Sequence, residues 1–131
     1  MQIISPNKPE AEKAVLGAMI LDPSVLKKSP LREENFYSPV NKRIFRALAK
    51  LDQEGIPIDP VSLLSKLSQE EATLATDYSH YAVTSANVPY YETILLDLTH
   101  KRNLQRVCLD VLQSMESLTL DDLIAKLREE M

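Results

Sequence analysis

Between Asn35 and Leu67 the chain spells a helix start, a helix stop and a second start in close succession: NFYSPVNKRIFRALAKLDQEGIPIDPVSLLSKL. Ser38 is the expected N-cap, because its hydroxyl can accept a bond from an open amide of the first turn. Pro39 follows at the first helical position, where a missing N–H costs nothing. Val40, Ile44, Ala47, Leu48 and Leu51 then recur at helical spacing and define one apolar face. Gly55 falls just past the last turn, where a left-handed residue closes a helix. Asp59 and Pro60 repeat the cap-then-proline start ahead of Val61, Leu63, Leu64 and Leu67. This punctuation predicts short, firmly bounded helices.

The flanking sequence continues the pattern. Asn7 is the expected cap of a first helix, with Glu10 as its reciprocal partner, running to about Leu21. Its small residues Ala14, Gly17 and Ala18 suit the close approach of another helix. Asp22-Pro23 ends it, since a proline disfavours helical geometry in the residue before it. Ser68 and Glu71 have capping-box spacing. From Thr76 to Val88 the pattern weakens, and a loop with one turn of helix is expected. Asn87 is the expected cap of a long helix from about Pro89 to Met115. A last helix begins near Thr119, with Asp121 and Asp122 at its positive end and Leu120, Leu123, Ile124, Leu127 and Met131 along one face. Two helices joined by a short loop usually pack antiparallel. The expected fold is therefore all-α: a compact helical body, residues 1–88, followed by a helical hairpin, residues 89–131.

Composition narrows the chemistry. A length of 131 residues suits one domain. The chain has two glycines, Gly17 and Gly55, and neither begins a GxxxxGK[ST] loop or a dinucleotide fingerprint. No cofactor is therefore expected in this chain. The net charge of −4 makes it a poor general binder of phosphate backbone, although a local basic patch remains compatible with that value. The single cysteine, Cys108, permits no intrachain disulfide. No signal peptide or membrane-spanning run is seen, so a soluble cytoplasmic protein is expected.

Catalytic and metal residues are expected to be absent. His80 and His100 have no Cys or carboxylate partners at metal spacing. Cys108, beside Leu104, Val111 and Leu112, reads as a buried small hydrophobe. No pair of carboxylates in an apolar setting suggests acid–base work. Lys42, Arg43, Arg46 and Lys50 gather opposite Ile44, Leu48 and Leu51. They form either a surface for nucleic acid or an acidic protein, or the solvated side of an amphipathic helix, and the second reading is preferred.

The long helix carries the best case for an interface. At about 100° per residue, Tyr91, Leu95 and Leu98 point one way. Leu104, Val107, Cys108, Val111 and Met115 point another way. A polar junction, Thr99 to Asn103, separates them. The later stripe can pack on the final helix. The earlier one needs the body or a second chain, which makes Tyr91, Ile94, Leu95, Leu98 and Arg102 interface candidates.

Three blocks, PEAEKAVLGAMILDP, the Asn35–Leu67 stretch and TSANVPYYETI, occur in the order in which they stand in one family. The chain resembles the N-terminal domain of bacterial or phage replicative DNA helicases of the DnaB type. It departs from that family at residues 69–84, EEATLATDYSHYAV and its flanks, which lack the usual Gly-Gly segment. The resemblance implies a non-catalytic assembly domain. Hairpins would pair between chains, and pairs would join into a ring collar, as a trimer of dimers in a hexamer. Primase or a helicase loader would dock on the collar, and DNA would be met only indirectly through the ring. ATP and Mg are implied only for a motor domain, which this chain lacks. The chain is either an excised domain or a naturally short relative. Two other classes compete: a free-standing regulator of helicase or primase, and a small DNA-binding domain using the Lys42–Lys50 face.

Overall fold

In the computed structural model, which describes residues 4–81 and 87–129, every regular element is helical. Helix α1 (Pro9–Leu21) lies at the centre and touches four of the others. Ala11, Val15, Leu16 and Met19 have no exposed surface, and Ala14 and Ala18 have little. A helix buried nearly all round must be approached closely from several sides, and its alanines and Gly17 allow that. Its start differs from expectation. Lys8 flanks Pro9 without a side-chain cap, while the Asn7 amide donates backwards to the Ser5 carbonyl at 2.9 Å. Proline's preset φ opens this helix instead.

Asp22 ends α1 and caps α2 (Pro23–Lys28) by accepting the Ser24 N–H at 3.0 Å. A short 3-10 turn, Glu33–Asn35, leads to α3 (Pro39–Gln53). Ser38 caps α3 as expected, accepting the Asn41 N–H at 3.4 Å. Ile44, Ala47, Leu48 and Leu51 are buried, and Phe36 lies against Phe45 with ring centroids 5.1 Å apart.

The end of α3 is a Schellman closure. Gly55 has φ +70°, the Ile56 N–H bonds the Leu51 carbonyl at 2.9 Å, and the Gly55 N–H bonds that of Asp52 at 3.1 Å. Helix α4 (Pro60–Leu64) opens with a reciprocal cap. Asp59 Oδ1 accepts the Ser62 N–H at 2.8 Å, and Ser62 Oγ accepts the Asp59 N–H at 2.9 Å. Asp59→Ala should therefore lower stability by about 1 kcal/mol, and Asp59→Asn should lower it little, because the amide oxygen still accepts. Gly55→Val should cost more than Asp59→Ala, although nothing lies within 4 Å of a new Cβ, because a β-branched residue resists the positive φ. Urea denaturation of the three variants ranks them.

Helix α5 (Gln69–Tyr78) starts with the expected Ser68–Glu71 box and runs through the segment expected to weaken at Thr76. A 3-10 turn, Ser79–Tyr81, follows. The first three residues of the TSAN block fall outside the described residues. Asn87 adopts a helical conformation and makes no side-chain cap, so the long helix α6 (Val88–Gln113) starts on Pro89 without one. Helix α7 (Leu120–Glu129) folds back on α6, and the Asp122 N–H bonds the Thr119 hydroxyl at 3.2 Å.

Burial divides along α6. Val88 and Leu95 belong to the main core, against which Tyr91, Ile94 and Leu96 also pack. Val107 and Val111 form a second small core with Leu123, flanked by Leu118 and Leu127. Helix α6 begins at Val88, next to the expected body–hairpin boundary, yet its first turns belong to the body, and the two cores part further along, at the polar junction from Thr99 to Asn103. No helix among the described residues is long and apolar enough to cross a membrane.

Candidate interaction surfaces

Three features on this scaffold differ from an ordinary solvated exterior. The first is the hairpin face. Val107, Val111 and Leu123 are buried between α6 and α7, but the apolar seam does not stop there. Leu112 is 61% exposed, Met115 52% and Leu120 71%, and Leu104, Cys108 and Ile124 are exposed beside them. At about 100° per residue, Leu104, Cys108, Leu112 and Met115 fall on one side of α6, adjoining the Val107–Val111 edge that α7 covers. A ten-residue helix lying along one edge of the stripe leaves the other edge in water. The later stripe packs on α7 at Val107 and Val111 and not at Leu104, Cys108 or Met115, and the expectation that Cys108 is buried is corrected.

The earlier stripe is covered by the body. Leu95 is 1% exposed inside the main core, and Tyr91 and Ile94 pack partly buried against that core. Leu95 is therefore withdrawn as an interface candidate: it faces α1 and its neighbours, so a charge there would disrupt the fold. Leu98 is half-buried. Arg102 is bound within its own chain. Its Nη1 donates to the Pro6 carbonyl at 2.9 Å and its Nη2 to Thr99 Oγ1 at 3.3 Å, while the guanidinium lies over Tyr37, 5.5 Å from the ring centroid. Burial pushes its pKa below the ordinary arginine value, and the Glu12 and Tyr37 groups oppose that shift.

The second feature is a buried polar chain. Glu12 is 2% exposed on α1. One carboxylate oxygen accepts the Tyr37 N–H at 2.8 Å, and the other accepts the Asn41 side-chain amide at 2.8 Å and the Ser38 N–H at 3.4 Å. The Tyr78 hydroxyl donates to Asn41 Oδ1 at 2.7 Å. Burial pushes the Tyr78 pKa up, the Glu12 charge adds to this, and the Asn41 bond offsets part of it. The carboxylate sits at the N-terminal end of α3, where open amides and the helix dipole favour negative charge. The chain thereby ties α1, α3 and α5 together. Its oxygens and amides are engaged with one another, so it reads as architecture and not as an acid–base centre. Sequence reading missed Glu12, although a signal was present: it falls at i, i+4 and i+7 with Leu16 and Met19, on a stripe that is otherwise apolar.

The third feature is the basic side of α3. Arg43 Nε bonds Glu71 at 2.5 Å, and Arg46 forms a forked pair with Glu33, one arm 3.1 Å long. The bond to Glu33 raises the pKa of Arg46, and the same bond lowers that of Glu33. Lys42 and Lys50 remain on the same side. Two of its four cations are thus neutralised by carboxylates of this chain, which makes this side a poor phosphate track. A cleft of about 730 Å³ lies between Ser5, α6 and α7, and its Lys126 is bonded to Asp110 at 2.5 Å. No group of three or more metal-ligating side chains occurs among the described residues.

The fold is thus an all-helical body from which an amphipathic hairpin projects with one apolar edge open. A family model described as the DnaB-like helicase N terminal domain matches residues 4–97. The chain belongs to that family. It is 32% identical to the replicative DNA helicase DnaB of Geobacillus stearothermophilus over 97% of its own length, which is 30% of that protein. Among solved structures, the N-terminal domain of DnaB helicase from Mycobacterium tuberculosis superimposes with a TM-score of 0.82 at 24% identity, covering 97% of each chain. A DnaB-like replicative helicase whose structure was described together with its interactions with primase gives 0.79 at 18% identity, over 95% of this chain and 32% of the other. The chain spans about a third or less of these helicases, and corresponds to their N-terminal domain and not to the ATPase motor.

Proposed function

We propose that this chain is the non-catalytic assembly and partner-docking domain of a replicative DNA helicase. The observation that carries the proposal is the open edge of the hairpin seam at Leu104, Leu112, Met115, Leu120 and Ile124. A second copy related by a two-fold axis presents the same edge, and two half-covered hairpins complete a four-helix arrangement. Such pairs would join into a ring collar, on which primase or a loader docks. The solved relative described with primase supports the choice of partner. The domain itself turns over no ATP, since the sequence holds no phosphate loop, and ATP and Mg would serve only a motor elsewhere in such a helicase.

Sedimentation equilibrium tests this. The wild-type chain should associate, and Leu112→Lys with Ile124→Lys should return it to a monomer with unchanged helical circular dichroism, because both positions are already exposed. A monomeric wild-type chain at high concentration, or a double variant that associates as before, would sink the pairing. Adding a primase helicase-binding domain should raise the mass of the wild-type species.

A further inference from the structure

Arg102 stands where the two cores part, and three segments meet on it. Besides its bonds to the Pro6 carbonyl and Thr99, its Nη2 lies 3.5 Å from the Asn35 carbonyl, at the end of the 3-10 turn. One turn further along α6, Gln105 Nε2 donates to the Ile4 carbonyl at 3.1 Å. The N-terminal arm, residues 4–8, is thus fastened across α6 through its backbone carbonyls. Carbonyls of an irregular segment have no partner in regular structure, so they are open to side-chain donors. A guanidinium presents a rigid fork of donors and can serve several acceptors at once, which an ammonium on a flexible stem does poorly.

We propose that the arm and Arg102 form a latch that sets the angle at which the hairpin leaves the body. Upstream of the junction α6 is held by the main core; downstream, among the described residues, it packs on α7 in a second small core. Whatever fixes the hairpin's direction must therefore act at Thr99–Gln105. The bonds across that stretch come from the arm and from the 3-10 turn, and the two meet at Arg102. Withdrawing the guanidinium, or drawing the arm away, frees the hairpin to swing without unfolding either core. The latch holds whether or not hairpins pair between chains, because every contact in it lies within one chain.

Nitroxide pairs at Lys50→Cys on α3 and Gln113→Cys at the end of α6, in a Cys108→Ser background diluted with unlabelled chain, read this angle as a distance distribution. A swing of about 10° about Thr99 displaces Gln113, roughly 21 Å further along α6, by about 4 Å. Arg102→Gln and deletion of residues 1–7 should each broaden the distribution or shift it by such an amount, with helical circular dichroism retained. Combined, they should do less than the sum of the two, since both undo the bond from Arg102 to the Pro6 carbonyl. None of residues 4–7 is among the buried core side chains, so the deletion decides the matter even if Arg102→Gln unfolds. An unchanged distribution after the deletion, or effects of the two changes that add, would overturn the latch.

Discussion

Gly17→Ala should destabilise the domain by at least about 2 kcal/mol, against the usual direction for a glycine inside a helix. In an open helix the same change gains about 1 kcal/mol, because alanine loses less backbone freedom on folding. Here a Cβ on Gly17 would stand 2.1 Å from the Tyr78 carbonyl oxygen and 2.8 Å from its carbon. Those are backbone atoms at the end of α5, so no side chain can turn aside to make room. The helices must part instead, and parting them also strains the bond from Tyr78 to Asn41. Gly17→Val should be worse, to the point of preventing folding. Equilibrium urea unfolding gives the answer, and a stabilised Gly17→Ala would mean that α1 and α5 do not cross as closely as described.

Glu12→Ala should cost about 3–5 kcal/mol, because three donors lose their acceptor at about 1–3 kcal/mol each. The loss leaves the Tyr37 N–H, the Ser38 N–H and the Asn41 amide without their acceptor in a site that water reaches poorly. Glu12→Gln should cost less, roughly 1–3 kcal/mol, because one oxygen still accepts while the new amide faces a donor. Asn41→Ala in the Glu12→Ala background should add less than it does alone, since the two residues share one chain of bonds. Thermal or urea unfolding of the four proteins measures that coupling. Additive losses would show that Glu12 and Asn41 act separately.

The two predictions rest on residues that differed in how plainly the sequence announced them. Gly17 stood among small residues and suggested a close crossing, although nothing in the sequence named Tyr78 as the neighbour. Glu12 shared a stripe with Leu16 and Met19 but was not singled out. Apolar spacing along α6 marked two stripes and a polar junction between them, yet it could not say which stripe the body would cover. The body took the stripe with Leu95, and the hairpin kept the edge with Leu112 and Met115 open.

What the sequence determined by itself was local. The caps at Ser38, Asp59 and Ser68 and the closure at Gly55 all depend on bonds that span three to five residues, so neighbouring letters suffice to specify them. Helix type, and with it the all-α class, followed from the spacing of apolar residues along each segment. Tertiary structure decided the rest. It left Asn7 and Asn87 without a capping role, placed Glu12 against the start of α3, put Leu95 inside and Cys108 outside, and fastened Arg102 to the N-terminal arm. Each of these depends on which elements cross and at what angle. Periodicity gives the face of a helix that is apolar, whereas the neighbour that covers that face is chosen by packing across the whole chain.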